Sequence, residues 1–162
     1  MEKQNNNKTS GLNMRSIFRC MMEDGYYPTF ENTHIQFEIF DNTAVVEYEE
    51  GVASVRLFFT IDEEIYEIFL EASNLAMIET YIVKPVVMED MKNIMFSCEM
   101  LCDTVHEFRK FLPKAIDLLK EALAAHQSKM RRLMLAREVL SKTIPATEEP
   151  AAGIGKRNKL LS

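Results

Sequence analysis

The chain has 162 residues and a mass of 18.7 kDa, enough for one domain with a hydrophobic core. Apolar residues at 47% and charged residues at 27% exclude global disorder, and only five Gly and five Pro exclude collagen-like and low-complexity readings. A net charge of −6 argues against a dedicated nucleic-acid binder.

The opening MEKQNNNKTS is polar and lacks the apolar stretch of a secretory signal, and residues 1–9 read as a disordered N-terminus. A helix follows from about Ser10 to Asp24. Leu12, Ile17, Phe18, Met21 and Met22 recur at helical spacing, and Gly25 stops it. The pattern then changes to period two. HIQFEIF (34–40) predicts a first strand, with Ile35, Phe37 and Ile39 on one face and Gln36, Glu38 and Phe40 on the other. Asp41-Asn42 is a turn signal, TAVVEYEE (43–50) a second strand, Glu50-Gly51 another turn, and ASVRLFFTI (53–61) a third strand. Connections this short demand antiparallel neighbours.

Asp62 is a suitable N-cap for a second helix over 63–79, with an apolar stripe of Ile65, Ile68, Phe69, Ala72, Leu75 and Ala76. YIVKPVVM (81–88) predicts a fourth strand, which Pro85 confines to an edge or breaks locally. IMFSCEML (94–101) predicts a fifth. Asp103 or Thr104 then caps a long helix reaching about Leu140, with a kink or restart expected at Pro113. The tail 143–162 holds two prolines and two glycines and reads as flexible. These elements predict a two-layer α+β domain over 10–142. Its five-stranded antiparallel sheet carries the helices on one face, in the order αβββαββα.

Chemistry-bearing motifs are few. Cys98, Cys102 and His106 stand at intervals of four, but a zinc site needs further ligands, and the other histidines are His34 and His126. The three cysteines are an odd number and read as reduced thiols. Gly153-Ile154-Gly155-Lys156 has neither a preceding strand nor phosphate-loop spacing. Cys102 with His106 is the sole local nucleophile–base pair, and no third group orients it. Glu47, Glu49 and Glu50 read as a charged sheet edge, and Asp62, Glu63 and Glu64 as complements to a helix dipole. No catalytic, cofactor or metal residues are assigned, and the chain reads as a non-enzyme without a cofactor.

Surfaces are more informative. A sheet covered on one face leaves the other bare. Phe40, Val45, Phe58, Val83, Val87 and Met95 are expected on that bare face, as a candidate contact surface. Charge divides along the chain. Residues 1–125 carry 11 Lys/Arg and 22 Asp/Glu, whereas residues 126–162 carry 8 and 3. The basic end places Met130, Arg131 and Met134 on an amphipathic helix extension beyond what the core requires, a second candidate surface. Eleven methionines fit either core filling or adaptable contact.

The element order, GYYPTFENTHIQFEI after the first helix, the meander ending LFFTID, and the hairpin IVKPVVMEDMKNIMFSCEML entering the last helix together resemble the YbjN family. They also resemble the wider type III secretion chaperone-like fold, over about Leu12–Leu123. That resemblance implies a small non-enzymatic module that binds other proteins, acts as a chaperone or regulates, and the secretion chaperones among the relatives are commonly dimers. It carries no site residues over. The expected function is a protein-binding adaptor or chaperone-like module with another protein as partner and a homodimer as one form. The alternative is a regulatory module whose basic helix contacts nucleic acid or an anionic surface, although the acidic body disfavours nucleic acid. No apolar run spans a bilayer, and the expected location is cytoplasmic.

Overall fold

A computed structural model describes residues 11–80 and 82–143. Helix α1 covers Met14–Glu23. Asn13 starts it through a capping box: its Oδ1 accepts from Ser16 N at 3.1 Å, and Asn13 N donates to Ser16 Oγ at 3.0 Å. At the other end Gly25 takes a φ of +82°, where a Cβ would be strained, and Tyr26 N reaches back to Met21 O at 3.0 Å.

Among the described residues six strands follow, not five. They are β1 (Thr29–Glu31), β2 (His34–Ile39), β3 (Asn42–Glu49), β4 (Val52–Thr60), β5 (Lys84–Val87) and β6 (Asn93–Leu101), in the spatial order β1-β2-β3-β4-β6-β5. Every neighbouring pair is antiparallel. The additional strand β1 has three residues, all exposed, and it lengthens the expected order to αββββαββα. Two tight turns set the meander. Phe40 and Asp41 (φ +53° and +59°) join Ile39 to its partner Asn42, and Glu50 and Gly51 (φ +50° and +85°) join Glu49 to Val52. Both central residues of each turn lie in the left-handed region, as the right-handed twist of a two-residue hairpin demands. The edge position expected from Pro85 is observed, since β5 pairs only with β6.

Asp62 caps a short 3-10 turn, Glu63–Ile65, by accepting from Glu64 N at 3.0 Å, and α2 runs on over Tyr66–Glu79. Thr104 and Glu107 cap α3 reciprocally: Glu107 N donates to Thr104 Oγ1 at 3.2 Å, and Thr104 N to Glu107 Oε2 at 3.0 Å. Helix α3 spans Val105–Thr143 in one piece, so the restart expected at Pro113 is absent. Pro113 is exposed, whereas Phe111, Leu112 and Ala115 beside it are buried, and that packing carries the helix past one missing donor.

The helices cover one sheet face. Ile35, Phe37, Val46, Val55, Leu57, Ile94, Phe96 and Cys98 project from that face into a single core with Ile17 and Met21 of α1 and Phe108, Leu112 and Leu119 of α3. Phe59 and Phe69 pack on this core without full burial. Leu75, expected in the buried stripe of α2, is exposed, and Ser73 takes the inward place. Arg109 fastens α3 to the end of α1, donating to Asp24 Oδ2 at 2.9 Å and Glu23 Oε2 at 2.7 Å. Residues 1–10 and 144–162, including the glycine-lysine run at 153–156, lie outside the described residues.

Candidate functional site

The bare sheet face is built differently from expectation. Strand register places Phe58 beside Met95, and Met95 beside Val86, as one apolar row across β4, β6 and β5. Val45 lies on the same face opposite Arg56 and is half-buried. Val83 and Val87 do not belong to it. Val83 is 3% exposed within the core, and Val87 pairs with Ile94 on the helix-covered side. The run YIVKPVVM offers no alternation to fix parity, and a one-residue slip exchanges the faces. Phe40 is also displaced. Its positive φ turns it out of the strand, and Lys120 Nζ of α3 lies 6.0 Å from its ring centroid, on the helix side.

Val52 and Leu101 form a second exposed apolar pair on this face, at the far end of β4 and β6, and an ionic stretch separates it from the row. Arg56 donates to Glu47, and its Nη2 lies 3.7 Å from Glu99 Oε1. Glu49, Glu50, Val52 and Ser54 complete the walls of a recess of about 280 Å3 around them. The apolar residues of the bare face are therefore divided by charge into two groups.

The distal part of α3 is a second exposed apolar surface. Beyond His126, α3 lies along α2, held by Lys129 to Glu79 and by the contact of His126 with Ser73. The two helices do not seal the seam between them. A groove of about 620 Å3 remains, with Ile65 of the 3-10 turn and Ile68 of α2 on one wall and Met134 and Leu135 of α3 on the other. Arg131 and Arg137 stand on its rim. Leu135, Val139 and Leu140 are 62%, 62% and 60% exposed, against 42% for Phe58 and 77% for Leu101 on the sheet face. Of the residues proposed from sequence, Arg131 and Met134 line this groove, and Met130 lines a shallower neighbouring recess with Phe69 and His126. In the sequence Ile65 and Ile68 read only as part of the buried stripe of the second helix. The signal for them was present in their apolar spacing, but nothing local shows that they face residue 134.

The thiols point away from chemistry. Burial pushes Cys98 up to about 11, and burial with the nearby Glu107 and Asp103 does the same for Cys102. All three cysteines are buried and free. Among the described residues no group of three or more His, Cys, Asp or Glu is placed to hold a metal ion, and no helix is long and apolar enough to cross a membrane.

No protein-family model and no curated protein matches the chain. Its fold is similar to that of YbjN, a candidate transcription regulator from E. coli. The TM-score is 0.62 at 9% identity, over 73% of this chain and 94% of that one. It is also similar to an uncharacterized protein from Methanothermobacter thermautotrophicus, with a TM-score of 0.51 at 9% identity, over 75% and 98% of the two chains. The fold is YbjN-like, and at this identity the likeness is one of fold alone.

Proposed function

We propose that the chain is a non-enzymatic, cytoplasmic protein-binding module that engages its partner through the seam between α2 and distal α3. The observation that carries this reading is the open groove, apolar on both walls and flanked by arginines, on a helix that continues well past the sheet it covers. Burying exposed apolar surface is the general driving force of protein association, and a patch of this kind marks an interaction site. The raised thiols of Cys98 and Cys102 agree with a role outside nucleophilic catalysis.

A second reading has its own support. Arg131, Arg132 and Arg137 are exposed, and a fold neighbour is described as a candidate transcription regulator, which supports the basic helix as a contact for nucleic acid. Affinity capture separates the two. Nuclease-treated lysate is passed over the wild-type chain, a groove variant (Met134→Glu with Leu135→Glu) and a sheet-face variant (Phe58→Glu with Val86→Glu). The protein-binding reading expects partners that survive nuclease and the sheet-face change but not the groove change. Retention that disappears with nuclease supports the second reading.

A further inference from the structure

Resting on the protein-binding reading, we infer that the groove takes one amphipathic helix of a different protein, apolar on the buried face and carrying Asp or Glu along the flank that faces α3. Three features of the seam specify this occupant. The first is shape. The α3 wall extends from Arg131 to Ser141, about 15 Å of helix at 1.5 Å per residue. Both walls are helices, so their backbone groups are already bonded internally. An extended peptide would find no sheet edge there to satisfy its own N–H and C=O groups, whereas a helix brings its backbone bonds with it. Residues 131, 134, 135 and 138 form ridges at three- and four-residue spacing, the relief into which another helix packs.

The second feature is charge. Residues 126–143 carry five Lys/Arg and a single acid, Glu138, which Lys142 already engages. Lys129 is bound to Glu79. Among the described residues Arg131, Arg132 and Arg137 have no carboxylate within ion-pair distance. The α2 side of the seam is acidic, with Glu67 and Glu71 in the recess beside Arg137, so Arg131 and Arg137 on the rim favour carboxylates on the side of the partner's apolar stripe that faces α3.

The third feature decides between occupants. A second copy that laid its own distal α3 into the seam would bring another set of these arginines against the first, a like-charge arrangement that opposes symmetric pairing. A nucleic-acid backbone would satisfy the arginines but leave the exposed Met134 and Leu135 with nothing apolar to cover them.

The test uses the full chain and two fluorescein-labelled peptides of about 18 residues, long enough to exceed the groove. Both carry Leu at helical spacing; one has Glu along one flank of that stripe and its twin has Lys. Fluorescence anisotropy should show the Glu peptide binding about tenfold tighter or more, the scale of a single well-placed charge contact. The double variant Arg131→Glu, Arg137→Glu should reverse that preference, which also shows that it remains folded. Leu135→Glu, at an exposed position that leaves both arginines in place, should weaken the Glu peptide by a similar factor. Equal binding of the two peptides would overturn the acidic partner while leaving the protein-binding reading intact. A dimer in sedimentation that Leu135→Glu dissociates would assign the groove to a second copy and overturn the inference. If neither peptide binds, the inference fails. If, in addition, a DNA duplex or vesicles of phosphatidylcholine with phosphatidylserine bind through Arg131 and Arg137, the protein-binding reading fails with it.

Discussion

His126 Nε2 lies 3.2 Å from Ser73 Oγ, and this contact joins distal α3 to α2 inside the core. Ser73 Oγ donates its own proton to Phe69 O at 2.8 Å, so it accepts from His126 and fixes the Nε2–H form of the ring. The imidazole packs against Phe69 at 4.5 Å and edge-on to Phe96 at 5.4 Å between ring centroids. One buried polar pair therefore sets the place from which α3 runs out along α2 to form the groove.

That pair predicts a pH dependence. Burial lowers the pKa of His126 below its ordinary 6.5, and the Phe69 backbone opposes this only in part. With the folded value depressed, the unfolded chain takes up the proton first as pH falls. The contribution of the neutral ring is intact above about pH 6.5 and is lost between there and the folded pKa. Urea unfolding midpoints measured between about pH 7 and about pH 5 should fall more steeply for the wild type than for His126→Phe. Parallel slopes would mean that His126 does not titrate differently on folding.

The core prediction concerns Phe96, which is 1% exposed and meets Phe59 edge-on at 5.8 Å. Phe96→Ala should cost about 3–5 kcal/mol in chemical denaturation, and Phe59→Ala clearly less, because Phe59 is only partly buried. An equal loss at the two positions would contradict this account of the core.

The register of β5 is tested by a pair of substitutions. Val86→Lys points to solvent beside Met95 and should stay within about 0.5 kcal/mol of the wild type. Val87→Lys places a charge against the core beside Ile94 and should cost more than about 1 kcal/mol. Thermal unfolding of both variants checks the parity, and the reverse order would return Val87 to the bare face.

Thr104→Ala removes one half of the capping box at the start of α3 and should lower stability by about 1 kcal/mol. Thr104→Ser keeps the hydroxyl and should recover most of that loss, as measured by the same unfolding midpoint.

Much of this architecture is legible in the sequence because it is local. Alternation in HIQFEIF and ASVRLFFTI identifies their faces, and Asp62, Thr104 and Gly25 mark where elements start and stop. Strand β1 is not legible: three exposed residues have no burial pattern, and their strand character comes entirely from pairing with β2. Phe40 is misplaced by alternation because the turn begins one residue earlier than Asp41-Asn42 implies. The surplus apolar positions of distal α3 are visible at Met130 and Met134. The groove is not, because it needs Ile65 beside Met134, a meeting across 69 positions of chain that only the packing of α2 on α3 creates.

The most direct measurement of the central claim is site-specific photo-crosslinking in cells, with a benzophenone amino acid placed at Leu135 in one variant and at Phe58 in another. Both side chains are exposed, and they lie in the groove and on the bare sheet face respectively. The account predicts a discrete crosslinked protein species from position 135, lost when Arg131 and Arg137 are both changed to Glu, and none from position 58. A discrete partner crosslinked from position 58 and absent from position 135 would contradict it and assign binding to the sheet.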